Sequence, residues 1–343
     1  MNSYPNLRLC HVLATFERDI TQQLAADVPT PTSFKDAMNC SHARHWHPSM
    51  KNELQNLENH QVWDTVDKPK DRRLVRTAWV FKLKQLADGA VDKLKARLCV
   101  QGFAQICGLD HWDTFSPVVR YDSLRAFLAI NAARRDLELR QGDVPGAFLK
   151  ARLSPNEHIH VAPPKGMKVP FGKVLKLNGA THGLKQSSRA FWIKSSKEPF
   201  ELGMERSRAD LCLFYKDGPK GRHHVISFVD DILTVGPKDN TSDHLEQRLA
   251  RLLDIKFADA DWFSGMRITR NRKARKIWLD QERCLLDVLK RFNVESQKVR
   301  SRDAPFNKST KFDPSEPTEE DIAFMANKPY ASVVGSVMYA AIS

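Results

Sequence analysis

Two adjacent aspartates interrupt an apolar stretch of this 343-residue sequence. Asp230 and Asp231 follow the run 225–228 and precede the run 232–235, and both runs are rich in strand-forming residues. An ionised carboxylate in apolar surroundings costs several kcal/mol unless a partner neutralises it. The pattern predicts a hairpin whose tight turn carries both aspartates to one end of a sheet, where a divalent cation would neutralise them.

A third candidate ligand lies upstream. Asp143 ends a short strand-like stretch, 137–143, and a turn rich in glycine and proline follows it directly. Metal ions that serve chemistry on phosphate prefer oxygen ligands and keep positions open for the substrate, so another acidic residue from elsewhere in the fold is needed. We expect Asp143 to face the pair formed by Asp230 and Asp231.

The elements that must position these carboxylates alternate between helices and antiparallel hairpins, which predicts an α+β fold. Asp122 or Ser123 is the expected cap of a helix over 122–135, whose buried face carries Leu124, Phe127 and Leu128. The other predicted elements are a helical segment within 34–66 ending in a strand at Trp63, a hairpin over 76–103, strands over 211–216 and 223–235 that pair with the Asp143 strand, a helix over 242–254, a hairpin over 262–281 and a helix over 281–292.

Composition limits the classes of protein to consider. The hydrophobic content of 41% is that of a globular chain and excludes a disordered tail. Lys and Arg outnumber Asp and Glu by 54 to 41, which gives a net charge of +13 and a pI near 9.5. This excess favours a polyanionic partner such as nucleic acid. Charge alone does not exclude the alternative, a basic protein that has no such partner.

Cysteine usage and hydropathy indicate a protein of a reducing, intracellular compartment. The six cysteines are scattered without a C-x-x-C pair, so free thiols are expected. The histidine cluster over 42–47 matches no common zinc-finger spacing, and an ordinary structural role is favoured there. No apolar stretch is long enough to span a bilayer, and the first twenty residues lack a signal-peptide core.

Seven segments, in this order, carry a family resemblance. They are Trp79-Val80-Phe81-Lys82, Lys95-Ala96-Arg97-Leu98 with Gln101-Gly102-Phe103, Phe115-Ser116-Pro117-Val118-Val119-Arg120, the Asp143 segment, Gly183-Leu184-Lys185-Gln186-Ser187, Phe228-Val229-Asp230-Asp231 and Tyr330-Ala331-Ser332-Val333-Val334-Gly335-Ser336. Together they resemble the reverse transcriptase region of copia-type retrotransposon polyproteins, over roughly residues 34 to 340.

The resemblance implies a right-hand polymerase that copies RNA or DNA by adding deoxynucleotides to a primer. It implies that Asp143 and Asp230 hold two Mg²⁺ ions, with Asp231 beside them and Mn²⁺ as an alternative metal. It divides the chain into a lead-in over 1–33, an N-terminal helix and fingers over 34–121, a palm over 122–260, and a hairpin, amphipathic helix and truncated connection over 261–343.

Three residues are implied to contact the incoming nucleotide. Phe148 lies five positions after Asp143, where the family places a ring that packs beneath the sugar and excludes a 2′-hydroxyl. Lys95 and Arg97 share one face of a fingers strand and are suited to grip the triphosphate or the template backbone. A plain core phenylalanine and a solvated basic face are the alternatives.

Further positions are implied to line the substrate site. Gly183 and Gln186 correspond to the family's contact region for template and nascent base pair, and Ser187 is the expected cap of the helix that follows. Phe228 stands where the family usually has tyrosine. The basic tip over 270–276 falls at or just beyond the primer-gripping region, and a solvated turn is an equal alternative.

Some features favour a second hypothesis, a catalytically silent remnant that only binds nucleic acid. Pro199 falls inside the helix that starts at Ser187 and is expected to kink it at a cost of about 3 kcal/mol, while Ser195 and Ser196 interrupt its apolar stripe. The resemblance also implies a larger polyprotein with integrase and ribonuclease H. It implies a cytoplasmic location in a virus-like particle, with the nucleus as a second location.

Overall fold

The computed structural model describes residue 20 and residues 23–86, 88–294 and 316–342. Most of the predicted lead-in over 1–33, including Cys10, lies outside the described residues. The helices are α1 (Phe34–Asn39), α2 (Ala43–Asn59), α3 (Tyr121–Ala133), α4 (Ser187–Glu201), α5 (Asn240–Leu253), α6 (Glu282–Arg291), α7 (Glu319–Ala326) and α8 (Tyr330–Ile342).

The strands form four antiparallel sheets in the described part of the chain. They are β1 (Trp63–Asp67), β2 (Thr77–Gln85), β3 (Val91–Val100), β4 (Leu137–Asp143), β5 (His160–Val161), β6 (Lys173–Leu177), β7 (Glu205–Arg206), β8 (Leu213–Gly218), β9 (Gly221–Phe228), β10 (Asp231–Pro237), β11 (Lys256–Asp259), β12 (Trp262–Phe263), β13 (Met266–Asn271) and β14 (Lys276–Asp280). This mixture of helices and antiparallel sheets confirms the predicted α+β class.

The central sheet has six strands in the order β11-β4-β10-β9-β8-β7. Because side chains alternate along a strand, β10 sends Leu233 to one face and Ile232 to the other. Leu233 belongs to a core with Leu124 of α3, and Ile232 belongs to a core with Leu249 of α5. The central sheet is therefore covered by helices on both faces, and the packing of α3 against it agrees with the buried positions predicted for 122–135.

The predicted hairpin over 76–103 is confirmed as β2 and β3, with Gly89 in its turn at a φ of 85°. Helix α2 packs against β3 and supplies hydrogen-bonding partners to its main chain. The Ser49 hydroxyl accepts from the Ala96 amide at 2.9 Å, and the Glu53 carboxylate accepts from the Leu98 amide at 3.3 Å. These contacts cover an edge that would otherwise present unpaired amide groups.

Two predicted helix caps are wrong. Helix α3 begins at Tyr121 after Arg120, whose side chain makes no capping hydrogen bond, so neither Asp122 nor Ser123 is the cap. Helix α4 likewise follows Gln186 without a side-chain cap.

Pro199, which was expected to kink its helix, lies in the last turn of α4. Helix α4 continues through Pro199 to Glu201, because the proline lies in the last turn and interrupts the hydrogen-bonding pattern only there. The Leu202 amide then closes the helix on the Glu198 and Pro199 carbonyls, at 3.2 and 3.1 Å. Ser195 and Ser196, expected to weaken the buried stripe, are themselves buried.

The hairpin over 262–281 is a three-stranded sheet of β12, β13 and β14. Two arginines at its tip bind the central part of the fold. Arg270 donates to the main-chain carbonyls of Asn131 and Leu137 at 2.8 and 2.7 Å, and Arg272 pairs with Glu138 at 2.6 Å. These two guanidinium groups thus help to hold the hairpin in place. The remaining tip residues, 273–276, are exposed, so the two expected alternatives, phosphate contact and a solvated turn, stay predictions for them.

Within the described residues, no helix combines the length and apolarity that crossing a bilayer requires. The cysteines in this part of the chain are free thiols: Cys40, Cys99, Cys107, Cys212 and Cys284.

Candidate active site

The two adjacent aspartates lie at a tight turn, as predicted. Strands β9 and β10 pair Phe228 with Asp231, which leaves Val229 and Asp230 as a two-residue connection. Val229 has a φ of 55°, in the left-handed region that β-branched residues rarely adopt. Such strain persists only where the surrounding structure enforces it, and it is frequent at functional sites.

Asp143 is brought to the same end of the sheet. In the pairing of β4 with β10, Asp143 is the direct partner of Asp231, and the Val144 amide donates to the Asp230 carbonyl at 2.8 Å. Directly opposed residues in such a pair have Cβ atoms about 4.5–5.5 Å apart, on the same face. The fold therefore juxtaposes the three carboxylates that the sequence indicated.

The carboxylates repel one another. Burial and the Asp230 charge raise the pKa of Asp143, against the opposing influence of Lys95 and other cations. Burial, followed by the charges of Asp230 and Asp143, raises the pKa of Asp231 to about 6, while a hydrogen bond from the Ser264 main chain acts in the opposite direction. A cation bound between these groups would relieve the repulsion.

We expect Asp231→Asn to raise the free energy of unfolding of chelator-treated protein at pH 7 by about 1–2 kcal/mol, after discounting for solvent screening. In the wild type, the folded-state pKa of about 6 exceeds the ordinary value of 3.8. The folded state therefore binds the proton first, and this contribution to stability is lost as the pH rises from about 4 to 6. Urea unfolding at several pH values measures the difference, and parallel pH profiles for the two proteins would contradict the prediction.

The donor set suits a hard divalent cation without forming a complete cage. Among the residues that the structure describes, no three His, Cys, Asp or Glu side chains are grouped so as to hold a metal ion. Mg²⁺ is usually held by one or two carboxylates together with substrate phosphates and water, so a finished protein cage is not required. The opposed Asp143 and Asp231, with Asp230 beside them, fit that kind of site.

A cavity of about 110 Å³ opens next to Asp230. Its lining combines cationic, aromatic and acidic groups: Glu53, Asn56, Lys95, Arg97, Gly146, Ala147, Phe148, Leu149, His182 and Asp230. Burial and the neighbouring Arg97 and Lys84 lower the pKa of Lys95. The Nε atom of Arg97 is buried without a hydrogen-bonding partner, so this side chain retains an unused donor beside the cavity.

The cavity brings together three of the six residues expected to bind substrate. Lys95 and Arg97 line it from the predicted strand, now β3, and Phe148 lines it from a short 3-10 helix over Ala147–Lys150, for which no element was predicted. Their contact with nucleotide stays a prediction, but their position next to Asp230 is what that role requires.

Gly183 and Gln186 have structural partners instead. Gly183 has a φ of 90°, and a Cβ atom at this position would overlap the Val100 carbonyl oxygen. The Gln186 side chain is buried and donates to the Asp110 carbonyl at 3.0 Å and to the Glu157 carboxylate at 3.2 Å. The missing Cβ of Gly183 thus serves contact with β3, and the Gln186 amide is engaged inside the protein.

Ser187 and Phe228 also face protein. Ser187, the expected cap, is hydrogen-bonded through its hydroxyl to the main chain of Thr181 and ties the preceding loop to α4. The half-buried Phe228 ring packs edge to face on Phe263, with ring centroids 6.2 Å apart. Direct contact of Phe228 with substrate stays a prediction.

The sequence analysis did not predict that two further residues with ionisable side chains, Glu53 and His182, would line the cavity. Glu53 reaches the cavity from α2, where burial raises its pKa against the influence of the Leu98 hydrogen bond, Arg97 and Lys95. His182, which directly precedes Gly183 in the sequence, also lines the cavity. The available signal for Glu53 was its place at the helical spacing of the buried residues of α2. The signal for His182 was that it replaces the aromatic hydroxyl residue that the family usually has before Gly183.

Comparison with known protein families supports the reverse transcriptase resemblance that the sequence motifs indicated. The family described as reverse transcriptase (RNA-dependent DNA polymerase) matches residues 60–303. Because that match covers more than half of the chain, this protein belongs to the reverse transcriptase family.

The relatives are retrotransposon polyproteins from plants. The chain is 35% identical over 325 residues to the retrovirus-related Pol polyprotein from transposon TNT 1-94 of Nicotiana tabacum, covering 93% of this chain and 24% of that protein. It is 30% identical over 332 residues to the corresponding polyprotein from transposon RE1 of Arabidopsis thaliana, covering 93% and 21%. The chain thus spans about a quarter or less of the length of these relatives. Their identity as transposon polyproteins agrees with the copia-type resemblance.

One solved structure overlaps weakly. A foamy viral protease-reverse transcriptase in complex with double-stranded DNA shares 15% identity at a TM-score of 0.37, over 74% of this chain and 37% of that chain. An overlap at this level carries no weight for the site or its chemistry.

Proposed function

We propose that this chain is an RNA-directed DNA polymerase that extends a primer with deoxynucleotides. The observation that carries the proposal is the pairing of Asp143 with Asp231, next to Asp230 and beside a cavity lined by Lys95 and Arg97. Acidic groups that hold divalent cations and basic groups that hold phosphate are both needed for transfer of a nucleotidyl group. Membership of the reverse transcriptase family supports the same assignment.

Each group then has a distinct task. Lys95 and Arg97 bind the triphosphate, since a guanidinium donates in pairs to phosphate oxygens and its buried Nε lacks another partner. Asp143, Asp230 and Asp231 would hold two Mg²⁺ ions, and the chemistry that such ions would supply is activation of the primer hydroxyl and neutralisation of charge on the leaving pyrophosphate. The chain forms no covalent intermediate. Its contribution is alignment and charge stabilisation.

The proposed partners are polyanions and a longer polypeptide. A net charge of +13 supports binding of a template annealed to a primer, because Lys and Arg release counterions from the nucleic-acid backbone. The polyprotein relatives support a chain that is part of a longer polypeptide. We propose that 34–121 and 122–260 are its fingers and palm, and that integrase and ribonuclease H belong to the same polyprotein. We propose a cytoplasmic location in a virus-like particle, with the nucleus as the alternative location.

Primer extension tests the proposal. The purified chain is given an RNA template, a labelled DNA primer and the four deoxynucleotides, with Mg²⁺ or with a chelator. We expect elongation that requires the metal. The competing hypothesis, a silent remnant, would be favoured by salt-sensitive binding of the primer and template without any elongation. Its main argument was the expected damage at Pro199, and α4 accommodates that residue.

We expect Phe148→Val to weaken the preference for deoxynucleotides over ribonucleotides by about 10- to 100-fold. Phe148 lines the cavity beside Asp230, and a smaller side chain leaves room for a 2′-hydroxyl that the ring excludes. A change of this size corresponds to about 1.4–2.7 kcal/mol of discrimination at the transition state. Single-nucleotide insertion of dTTP and UTP measures the ratio of kcat/KM values. An unchanged ratio would assign Phe148 to packing alone.

A further inference from the structure

We propose that His182 is a specificity-determining residue that holds the Phe148 ring in the position where it rejects a ribose. The inference rests on the proposed polymerase function and extends it to a residue in a separate segment of the chain. His182 acts through Phe148 and is therefore a positioning residue.

The contact between the two rings carries the inference. The centroids of Phe148 and His182 are 5.4 Å apart and the ring planes meet at 70°, which is an edge-to-face arrangement. Both residues line the same cavity, although they come from distant parts of the sequence. An edge-to-face neighbour restricts where a half-buried ring can move, so the imidazole limits retreat of Phe148 from the cavity.

The backbone around His182 is itself fixed. Its carbonyl accepts a hydrogen bond from the Val100 amide at 2.8 Å, at the end of β3. The next residue, Gly183, adopts a φ of 90° and lies directly against the Val100 carbonyl oxygen. His182 is therefore held by β3, the strand that also carries Arg97. The residue that contacts Phe148 and the residue proposed to bind phosphate are thus attached to the same strand.

The charge state of His182 suits this packing role. Burial, together with the nearby Arg97 and Lys95, lowers its pKa to about 4. The imidazole is therefore neutral at pH 7, so it packs on Phe148 without adding a third positive charge to the cavity.

The experiment compares sugar selectivity in His182→Ala and His182→Phe. The readout is the ratio of kcat/KM for dTTP to that for UTP in single-nucleotide insertion. We expect the ratio to fall by roughly 3- to 10-fold in His182→Ala, the range set by the energy of an edge-to-face pair. The ratio should return to within about twofold of the wild type in His182→Phe, which restores an aromatic neighbour.

His224→Ala is the matched control. His224 is also a half-buried histidine packed edge to face on a phenylalanine, Phe127, with centroids 4.6 Å apart, and its pKa is likewise lowered to about 4, chiefly by burial. It does not belong to the cavity lining described above. Its loss should lower the melting temperature and leave the nucleotide ratio unchanged.

The outcomes separate this inference from the proposed function. A wild-type chain that inserts neither nucleotide overturns the proposed function and the inference with it. A wild-type chain that discriminates while His182→Ala discriminates equally well overturns the inference alone. A ratio that falls by the same factor in His182→Ala and His182→Phe also overturns it, because an aromatic neighbour would then not be the property that matters.

Discussion

Asp230→Asn is expected to lower the rate of primer extension by at least about 10²–10³-fold, the loss typical when one preorganised electrostatic group is removed from an active site. Asp230 lines the cavity, and its charge raises the pKa of both Asp143 and Asp231. Asparagine keeps the size and polarity of the side chain but removes the charge that would hold a divalent cation. Single-turnover extension of a labelled primer measures the effect.

Asp92→Asn is the control for this substitution. Asp92 is exposed on β3, the strand that carries Lys95 and Arg97, and it is not part of the cavity lining. Its rate should stay within about twofold of the wild type, as surface substitutions away from special features have small effects. Melting temperatures of both variants test whether the proteins remain folded. A folded Asp230→Asn protein that extends primers at the wild-type rate would remove this carboxylate from the mechanism.

Gly183→Ala is expected to lower the free energy of unfolding by about 3–5 kcal/mol. Two costs combine at this position. An alanine at a φ of 90° adopts a conformation that residues with a Cβ rarely occupy, and its Cβ atom would overlap the Val100 carbonyl oxygen. Since the obstacle is main chain of β3, the overlap is relieved only by moving the strand. Urea unfolding monitored by tryptophan fluorescence measures the loss.

Gly172→Ala separates the two costs. Gly172 has a φ of 80°, and a Cβ atom at this position would meet no heavy atom within 4 Å. Its replacement should therefore cost only the conformational part, about 1–2 kcal/mol. Equal losses for the two variants would show that the contact with Val100 adds nothing. A larger loss for Gly183→Ala would establish this glycine as a packing residue between the fingers hairpin and the loop before α4.

Local patterns predicted much of the fold because they report burial along one element. Apolar spacing at Leu124, Phe127 and Leu128 identified the buried face of α3. Alternation along β3 placed Lys95 and Arg97 together, and both line the cavity. A single side chain on a regular element needs only the periodicity of that element to be assigned to a face.

Local patterns failed where the outcome depended on a distant partner. Arg270 and Arg272 are a basic cluster in the sequence, yet their groups are engaged by carbonyls and a carboxylate near the end of α3 and in β4. Gln186 has the position of a contact residue, yet it is buried among hydrogen-bonding partners from the segments around Asp110 and Glu157. Neither set of partners is adjacent in sequence, so neither was predictable from spacing.

The sequence by itself determined that a pair of acids would stand at a turn between two apolar strands, because charged groups cannot remain inside such a run. The sequence also led us to expect that Asp143 faces this pair, but the tertiary structure alone decided that its direct partner is Asp231 and that Glu53 and His182 join the cavity beside Asp230. Strand register and helix packing are set by the burial of whole faces at once, and a shift of one residue would turn Asp143 to the other face of the sheet. For that reason the local pattern named the acids, and only the assembled fold produced the site.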